Sequence, residues 1–219
     1  STAKSTWAQQ LSSMDHEDDD PGTNWNERAR SDQPEHMSPR MAWRAIMSAL
    51  PKDAIICNGA GNYSGWLHRF YKYRAPGSQL APTAGSMGYG LPAAIAAALS
   101  ATTREVIAIA GDGCFMMTCQ ELATAAQHNL RMTVIIVNNA RYGTIRVHQE
   151  REFPGRVSGT DMINPDFCDF ARSFGAHAEK VDELSAFASA LASARERGGL
   201  NVIEVTQDSN LLAPGKWLT

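Results

Sequence analysis

Val106-Ile107-Ala108-Ile109-Ala110-Gly111-Asp112-Gly113 and Met132-Thr133-Val134-Ile135-Ile136-Val137-Asn138-Asn139 decide the fold of this chain. Each is an unbroken apolar run, rich in β-branched residues, that ends in polar or glycine positions. Such runs read as strands buried on both faces, as in parallel sheets. Residues 114–137 fill the interval between Gly113 and Asn138. That length accommodates a turn, a helix and a return strand. Both polar ends should therefore emerge at the same edge of a parallel sheet.

Working outward, strands and helices alternate. Ser38-Pro39 opens a helix, with Trp43, Ile46, Met47 and Leu50 as its apolar stripe and Pro51 as its stop. Residues 54–57 form a short buried strand, and residues 91–99, apolar all round, a buried helix. Thr118-Cys119-Gln120-Glu121 matches a capping box and predicts a helix start near Thr118. A helix over 164–173, a strand over 176–181 and a helix from Asp182 follow. Leu184, Phe187, Ala188, Leu191 and Arg195 form the inner stripe of that last helix, which Gly198-Gly199 ends. Leu200–Thr206 is a final strand. The expected class is α/β: a doubly wound parallel sheet flanked by helices. Residues 1–37 differ, with an acidic run at Asp15, Glu17, Asp18, Asp19 and Asp20 and sparse apolar residues. They read as a linker or the tail of a preceding domain, leaving 38–219 as the main domain.

The chain has 219 residues, 43% of them hydrophobic, and a net charge of −3. This balance gives no argument for nucleic acid or a membrane surface as partner. The four cysteines, Cys57, Cys114, Cys119 and Cys168, make no C-x-x-C pair, and reduced thiols in a cytoplasmic protein are expected. The histidines lack zinc-site spacing.

The chemistry lies in the two polar ends. Mg²⁺ takes near-octahedral oxygen ligands and is usually held by one or two carboxylates plus substrate phosphates. Asp112 offers a carboxylate and Asn139 a neutral carbonyl oxygen, so negative charge does not accumulate before a diphosphate arrives. Gly111 and Gly113 let the backbone approach phosphates closely. Ligands of open α/β sheets bind beyond the carboxyl ends of the strands. Taken alone, Asp112 could equally be a turn residue capping a strand end; Asn139 in register favours the ligand. Asn138 supports the turn.

These residues resemble the thiamine-diphosphate-binding motif of the thiamine-dependent enzymes: Gly111-Asp112-Gly113, a strand–helix unit's worth of residues, then Asn138-Asn139. Gly85-Ser86-Met87-Gly88-Tyr89-Gly90-Leu91-Pro92-Ala93-Ala94-Ile95 resembles the matching segment of acetolactate synthase and its relatives, and the likeness runs over about residues 38–210. The resemblance implies the thiamine-diphosphate-binding fold, with thiamine diphosphate and Mg²⁺ as cofactors. It implies metal ligation by Asp112, Asn139 and the backbone carbonyl of Arg141. Tyr142-Gly143 keeps a pair found in some members and belongs to the same cofactor-binding loop. Gly113 and Cys114 would give backbone N–H groups to the diphosphate. Gly61, Asn62 and Tyr63 would touch it from the loop after the first strand, although Gly59 stands where an acidic residue is common. Met87 would be the wedge that bends thiamine so that its 4′-amino group can take the C2 proton. The Gly85 carbonyl would accept a hydrogen bond from that amino group.

The activating glutamate of the family belongs to a separate pyrimidine-binding domain, of the same or another subunit, and nothing here resembles it. A middle domain that carries FAD in some members is also lacking. The resemblance therefore implies one domain of an enzyme acting on small 2-keto acids by decarboxylation or carboligation. It also implies that the full enzyme is a homo-oligomer, dimer or tetramer, and that this chain alone is inactive. The catalytic residue is accordingly not assigned within this sequence. Two rival readings are a non-catalytic binding module that keeps the fold and a Rossmann-type oxidoreductase. The second lacks its third glycine, because position 64 is Ser.

Overall fold

The computed structural model describes residues 39–100, 103–183, 186–213 and 216–217. The expectation for residues 1–37 lies outside the described residues. The elements in chain order are α1 (Pro39–Ala49), β1 (Ile55–Asn58), α2 (Ser64–Phe70), β2 (Gln79–Leu80), α3 (Gly90–Ser100), β3 (Val106–Gly111) and α4 (Asp112–Met116). A 3-10 turn (Cys119–Glu121), α5 (Leu122–Gln127), β4 (Met132–Asn138), α6 (Gly143–Glu152) and α7 (Phe167–Ser173) come next. The chain continues through β5 (His177–Val181), α8 (Phe187–Arg197), β6 (Leu200–Thr206) and a small antiparallel pair, β7 (Leu211–Ala213) and β8 (Lys216–Trp217).

The main sheet has six parallel strands in the order β2-β1-β3-β4-β6-β5. Right-handed crossovers then dictate where the helices go. The steps β1→β2 and β5→β6 run one way along the sheet, so α2 and α8 share a face. The other steps run the opposite way and put α3, α4, α5 and α7 on the other face. The contacts agree. Trp43 of α1 stacks on Trp66 of α2 with ring centroids 5.7 Å apart, and α1 also touches α8. Across the sheet, Phe115 of α4 meets Phe167 of α7 edge-on at 5.6 Å.

The central strands are buried throughout, which is why they read as continuous apolar runs. The edge strand β5 is largely exposed. Arg104 fastens the β1 edge: its guanidinium donates to the carbonyls of Asp53, Ala54 and Gly77 and to Ser78 Oγ.

Four local expectations are corrected. A helical stretch does begin beside Thr118, as the 3-10 turn from Cys119 that runs into α5, with Thr118 in the N-cap position. The capping box itself does not form: the Thr118 hydroxyl donates to the Gly88 carbonyl at 2.9 Å, and a separate short helix, α4, already starts directly after β3 at Asp112. The helix expected from Asn164 begins at Phe167, because Asp166 is the N-cap and accepts from the Asp169 N–H at 2.7 Å. In α8, Phe187, Ala190, Leu191 and Ala194 face the core; Ala188 and Arg195 are exposed, and Arg195 pairs with Glu105 at 2.7 Å. Leu184 lies outside the described residues. Helix α3 is not buried all round either, since Leu99 is 53% exposed.

Candidate cofactor site

The strand order reverses between β1 and β3, and a cavity of about 230 Å³ opens at their carboxyl ends. A crevice at such a switch point is where open α/β sheets take ligands. Its lining includes every cofactor and metal residue expected from the sequence: Gly61, Asn62 and Tyr63 after β1, Gly85 and Met87 before α3, Gly111 to Cys114 after β3, and Asn139, Arg141, Tyr142 and Gly143 after β4.

Register explains the convergence. Gly111 pairs with Val137 and Asn138 with Thr206, so the acid and the two amides leave the sheet at one level on neighbouring strands. Asp112 is only 2% exposed. Among the described residues it forms no ion pair, and the nearby Arg141 guanidinium is turned to Asp161 Oδ1 (2.7 Å) and the Ser209 carbonyl (3.0 Å). Burial pushes the Asp112 carboxyl above its ordinary range, while hydrogen bonds from Asn164 and the N–H groups of Gly113, Ala140 and Arg141 pull it back.

The two asparagines divide their work. Asn138 is engaged: its Nδ2 donates to Glu204 Oε1 at 2.7 Å, and its Oδ1 accepts from the Ala140 N–H at 3.1 Å. Asn139 lines the cavity. The Arg141 carbonyl accepts from the Gly143 N–H at 2.9 Å, an inverse γ-turn centred on Tyr142 (φ −75°, ψ 76°). One lone pair of that oxygen stays available.

The glycines are needed because aromatic rings lie on them. A Cβ at Gly111 would sit 2.8 Å from Tyr63 Cδ1, and one at Gly113 would sit 2.6 Å from Tyr142 Cε1. Tyr63 is 8% exposed, and its hydroxyl donates to Cys114 Sγ at 3.4 Å. Burial, then the neighbouring Cys114, raises the Tyr63 pKa well above its usual value. The polar tip of Tyr63 is thus turned inward, so its contribution to the cavity wall is the ring. Cys114 Sγ also accepts from the Gly88 N–H at 3.2 Å. With the Thr118 hydroxyl on the Gly88 carbonyl, this ties down the loop that carries Met87, which is 39% exposed toward the cavity. Asn62 Oδ1 accepts from Thr144 Oγ1 at 3.0 Å, joining the first loop to α6.

Several wall residues escape the sequence reading. Ala60, Val137, Thr144, Ile145 and Gln207 complete the lining. Gln207 Oε1 and Asn164 Oδ1 are buried and lack hydrogen-bond partners among the described residues. Asn164 donates to Asp112 Oδ2 at 2.8 Å. A sequence signal existed for it: the residue before Pro165 is disfavoured in a helix.

This donor set fits a divalent ion on a diphosphate. A buried carboxylate without a cation is costly, and one metal ion would offset it. Among the described residues no three His, Cys, Asp or Glu side chains cluster as metal ligands. Phosphate oxygens would therefore have to complete the coordination sphere, as is usual for Mg²⁺.

Fold and site together define an α/β domain whose switch-point donor set suits a metal–diphosphate group. A family model described as "Thiamine pyrophosphate enzyme, C-terminal TPP binding domain" matches residues 59–205, and the chain belongs to that family. It is 37% identical to a sulfoacetaldehyde acetyltransferase of Rhodobacter capsulatus, over 97% of this chain and 37% of the relative. It is 34% identical to an acetolactate synthase large subunit of Corynebacterium glutamicum, over 73% of this chain and 26% of the relative. Among solved structures, a thiamine diphosphate-dependent 4-hydroxybenzoylformate decarboxylase of Rhodococcus jostii RHA1 superposes with a TM-score of 0.72. That match has 30% identity and covers 78% of this chain and 32% of that one. The chain thus spans about a third of the length of the curated relatives it matches. Among the described residues, no helix is long and apolar enough to cross a membrane.

Proposed function

We propose that this chain is the part of a thiamine-dependent enzyme that grips the cofactor's diphosphate through Mg²⁺, in an enzyme acting on 2-keto acids by decarboxylation, carboligation or both. The observation that carries the reading is the Asp112 carboxylate, buried with no cation beside it among the described residues and level with the Asn138–Asn139 turn. Asp112, the Asn139 side-chain oxygen and the Arg141 carbonyl would hold the metal. Gly61, Asn62, Tyr63, Gly111, Gly113, Cys114, Tyr142 and Gly143 would surround the diphosphate. Gly85 and Met87 would meet the rest of the cofactor. Bound thiamine diphosphate supplies an electron sink for the carbanion left when a 2-keto acid loses CO₂.

The chain's own groups do the rest by positioning. The ties from Cys114 and Thr118 to Gly88 restrain the loop that carries Met87. Val137 and Ile145 add apolar surface to the cavity wall. Proton transfer to the cofactor ring would need an acid on a pyrimidine-binding domain of the same or another subunit, in a homo-oligomer of the full enzyme. FAD, if used, would sit in a further domain.

Acetyl transfer involving sulfoacetaldehyde is the finer reading. Those relatives match 93–97% of this chain, against 73–76% for bacterial acetolactate synthases, so the likeness to them extends beyond the cofactor-binding core.

Titration calorimetry with thiamine diphosphate, with and without Mg²⁺, tests the binding role. Heat that appears only with the metal is expected; metal-independent or absent binding would refute it. The isolated chain should turn over no 2-keto acid, and turnover without a second polypeptide would contradict the division of labour. In the full-length enzyme, consumption of sulfoacetaldehyde separates the acetyltransferase reading from condensation of two keto acids.

A further inference from the structure

The acid and the amide turn sit on different strands, yet one side chain touches both. Asn164 Nδ2 donates to Asp112 Oδ2 at 2.8 Å and to Asn138 Oδ1 at 2.9 Å. The amide has one workable orientation here, because a flip would set its oxygen against two acceptor oxygens. Asn138 continues the chain with its 2.7 Å bond to Glu204 Oε1, and Glu204 is 4% exposed on β6, in register with Ile136. A hydrogen-bonded line thus runs Asp112–Asn164–Asn138–Glu204 and spans β3, β4 and β6.

Asn164 is itself well anchored. Asp166, two residues on, caps α7, and Phe167 is fully buried against Phe115 of α4, the helix that Asp112 begins. Asn164 is not among the residues that line the cavity.

We infer that Asn164 is a positioning residue that sets the preference of this site for Mg²⁺ over Ca²⁺. The inference rests on the reading of Asp112 and Asn139 as metal ligands. Mg²⁺ demands near-ideal octahedral geometry with oxygens at about 2.0–2.1 Å, whereas Ca²⁺ accepts six to eight oxygens at about 2.3–2.6 Å and often takes carboxylates bidentately. Asn164 takes a lone pair of Asp112 Oδ2 and restrains the rotation of the carboxylate, which disfavours bidentate ligation through both oxygens. Its second bond, to Asn138, fixes the separation of the two loop tips. Both restraints suit the smaller ion. Without them Asp112 can rotate to offer both oxygens, and the tips can part.

The test is calorimetric titration of thiamine diphosphate into this chain at saturating Mg²⁺ or Ca²⁺, with Asn164→Ala and Asn164→Asp beside the wild type. Circular dichroism melts without ligand establish that each variant folds. Loss of such an outer-shell partner costs about 10–100-fold in metal affinity. In Asn164→Ala the Mg²⁺-supported affinity should fall by that factor and the Ca²⁺-supported affinity by much less. The preference for Mg²⁺ then narrows by about tenfold or more. Asn164→Asp keeps the size of the side chain but loses the donor. Its added charge strengthens both ions, yet the ratio should still narrow, so this variant decides the matter if Asn164→Ala does not fold. Equal losses for the two ions, or an unchanged ratio in Asn164→Asp, overturn the inference and leave the cofactor reading standing. A wild-type chain that takes neither ion with the cofactor overturns both, and one that takes the two ions equally overturns this inference.

Discussion

Gly113→Ala offers a sharp perturbation of the site. The new Cβ would lie 2.6 Å from Cε1 and 2.9 Å from Cδ1 of Tyr142, and 3.3 Å from Met162 Sδ. Two of these contacts are shorter than real Cβ atoms tolerate, so the Tyr142 ring must move. It is mounted on the γ-turn that presents the Arg141 carbonyl, and movement of the ring pulls on that oxygen. Overpacking of this kind costs about 1–3 kcal/mol. Against it stands the better helix propensity of alanine, about 1 kcal/mol in a helix interior and less at the second residue of a five-residue helix. The clash wins, leaving roughly 1–2 kcal/mol of destabilisation. For a domain of this size that corresponds to a fall in Tm of roughly 2–8 °C. The assay is a thermal melt of four proteins: wild type, Gly113→Ala, Tyr142→Ala and the double variant. Truncating Tyr142 removes the obstacle, so Gly113→Ala should cost little or nothing in the Tyr142→Ala background. The coupling between the two sites should be at least about 1 kcal/mol. Additive melts, or a Gly113→Ala protein as stable as wild type, would show that the ring does not lie over this backbone.

Two further outcomes follow from the same geometry. Thr118→Val removes the hydroxyl that bonds the Gly88 carbonyl at 2.9 Å; it should cost about 0.5–1.5 kcal/mol in a urea melt, with Thr118→Ser close to wild type, and equal stability of all three would deny the tie. The pH dependence concerns Asp112, whose folded pKa is raised above the ordinary 3.8 by burial. The folded state then holds its proton more tightly than the unfolded state. The ligand-free chain should therefore lose stability as pH rises from about 3.8 through the raised value and stay at the lower level above it. Asp112→Asn should flatten that part of the Tm profile, and a profile unchanged by the substitution would remove the buried charge from the account.

The sheet was legible because buried parallel strands write themselves as unbroken apolar runs, and β3, β4 and β6 were bounded to within a residue or so. The site was legible because strand ends carry their polar residues to one edge: Asp112 and Asn139 needed only the assumption of parallel register. What was missed depended on tertiary partners. Thr118-Cys119-Gln120-Glu121 has the letters of a capping box, but the Thr118 hydroxyl is drawn to Gly88, a distant carbonyl that no local pattern reveals. Helix α6 has no buried residue and hence no apolar stripe to read. It is held instead by pairs such as Arg146 with Glu150 at 2.8 Å and Gln149 with the Ser158 carbonyl at 2.8 Å. Asn164 precedes the helix because Asp166 caps it, a boundary that Pro165 already marks in the sequence. Glu204 offered its own signal, a lone acid inside the apolar run of β6, but its partner Asn138 emerges only from the pairing of β4 with β6.

The most direct measurement is Mg²⁺-dependent binding of thiamine diphosphate to Asp112→Ala, with the unliganded melt recorded on the same sample. Saturation at one hundred times Kd should stabilise the wild type by about 2.7 kcal/mol, a rise in Tm of roughly 5–11 °C. The variant should fold and show no such rise. An Asp112→Ala chain that gains the same stability from cofactor and metal as the wild type would contradict the assignment of that carboxylate to the ion.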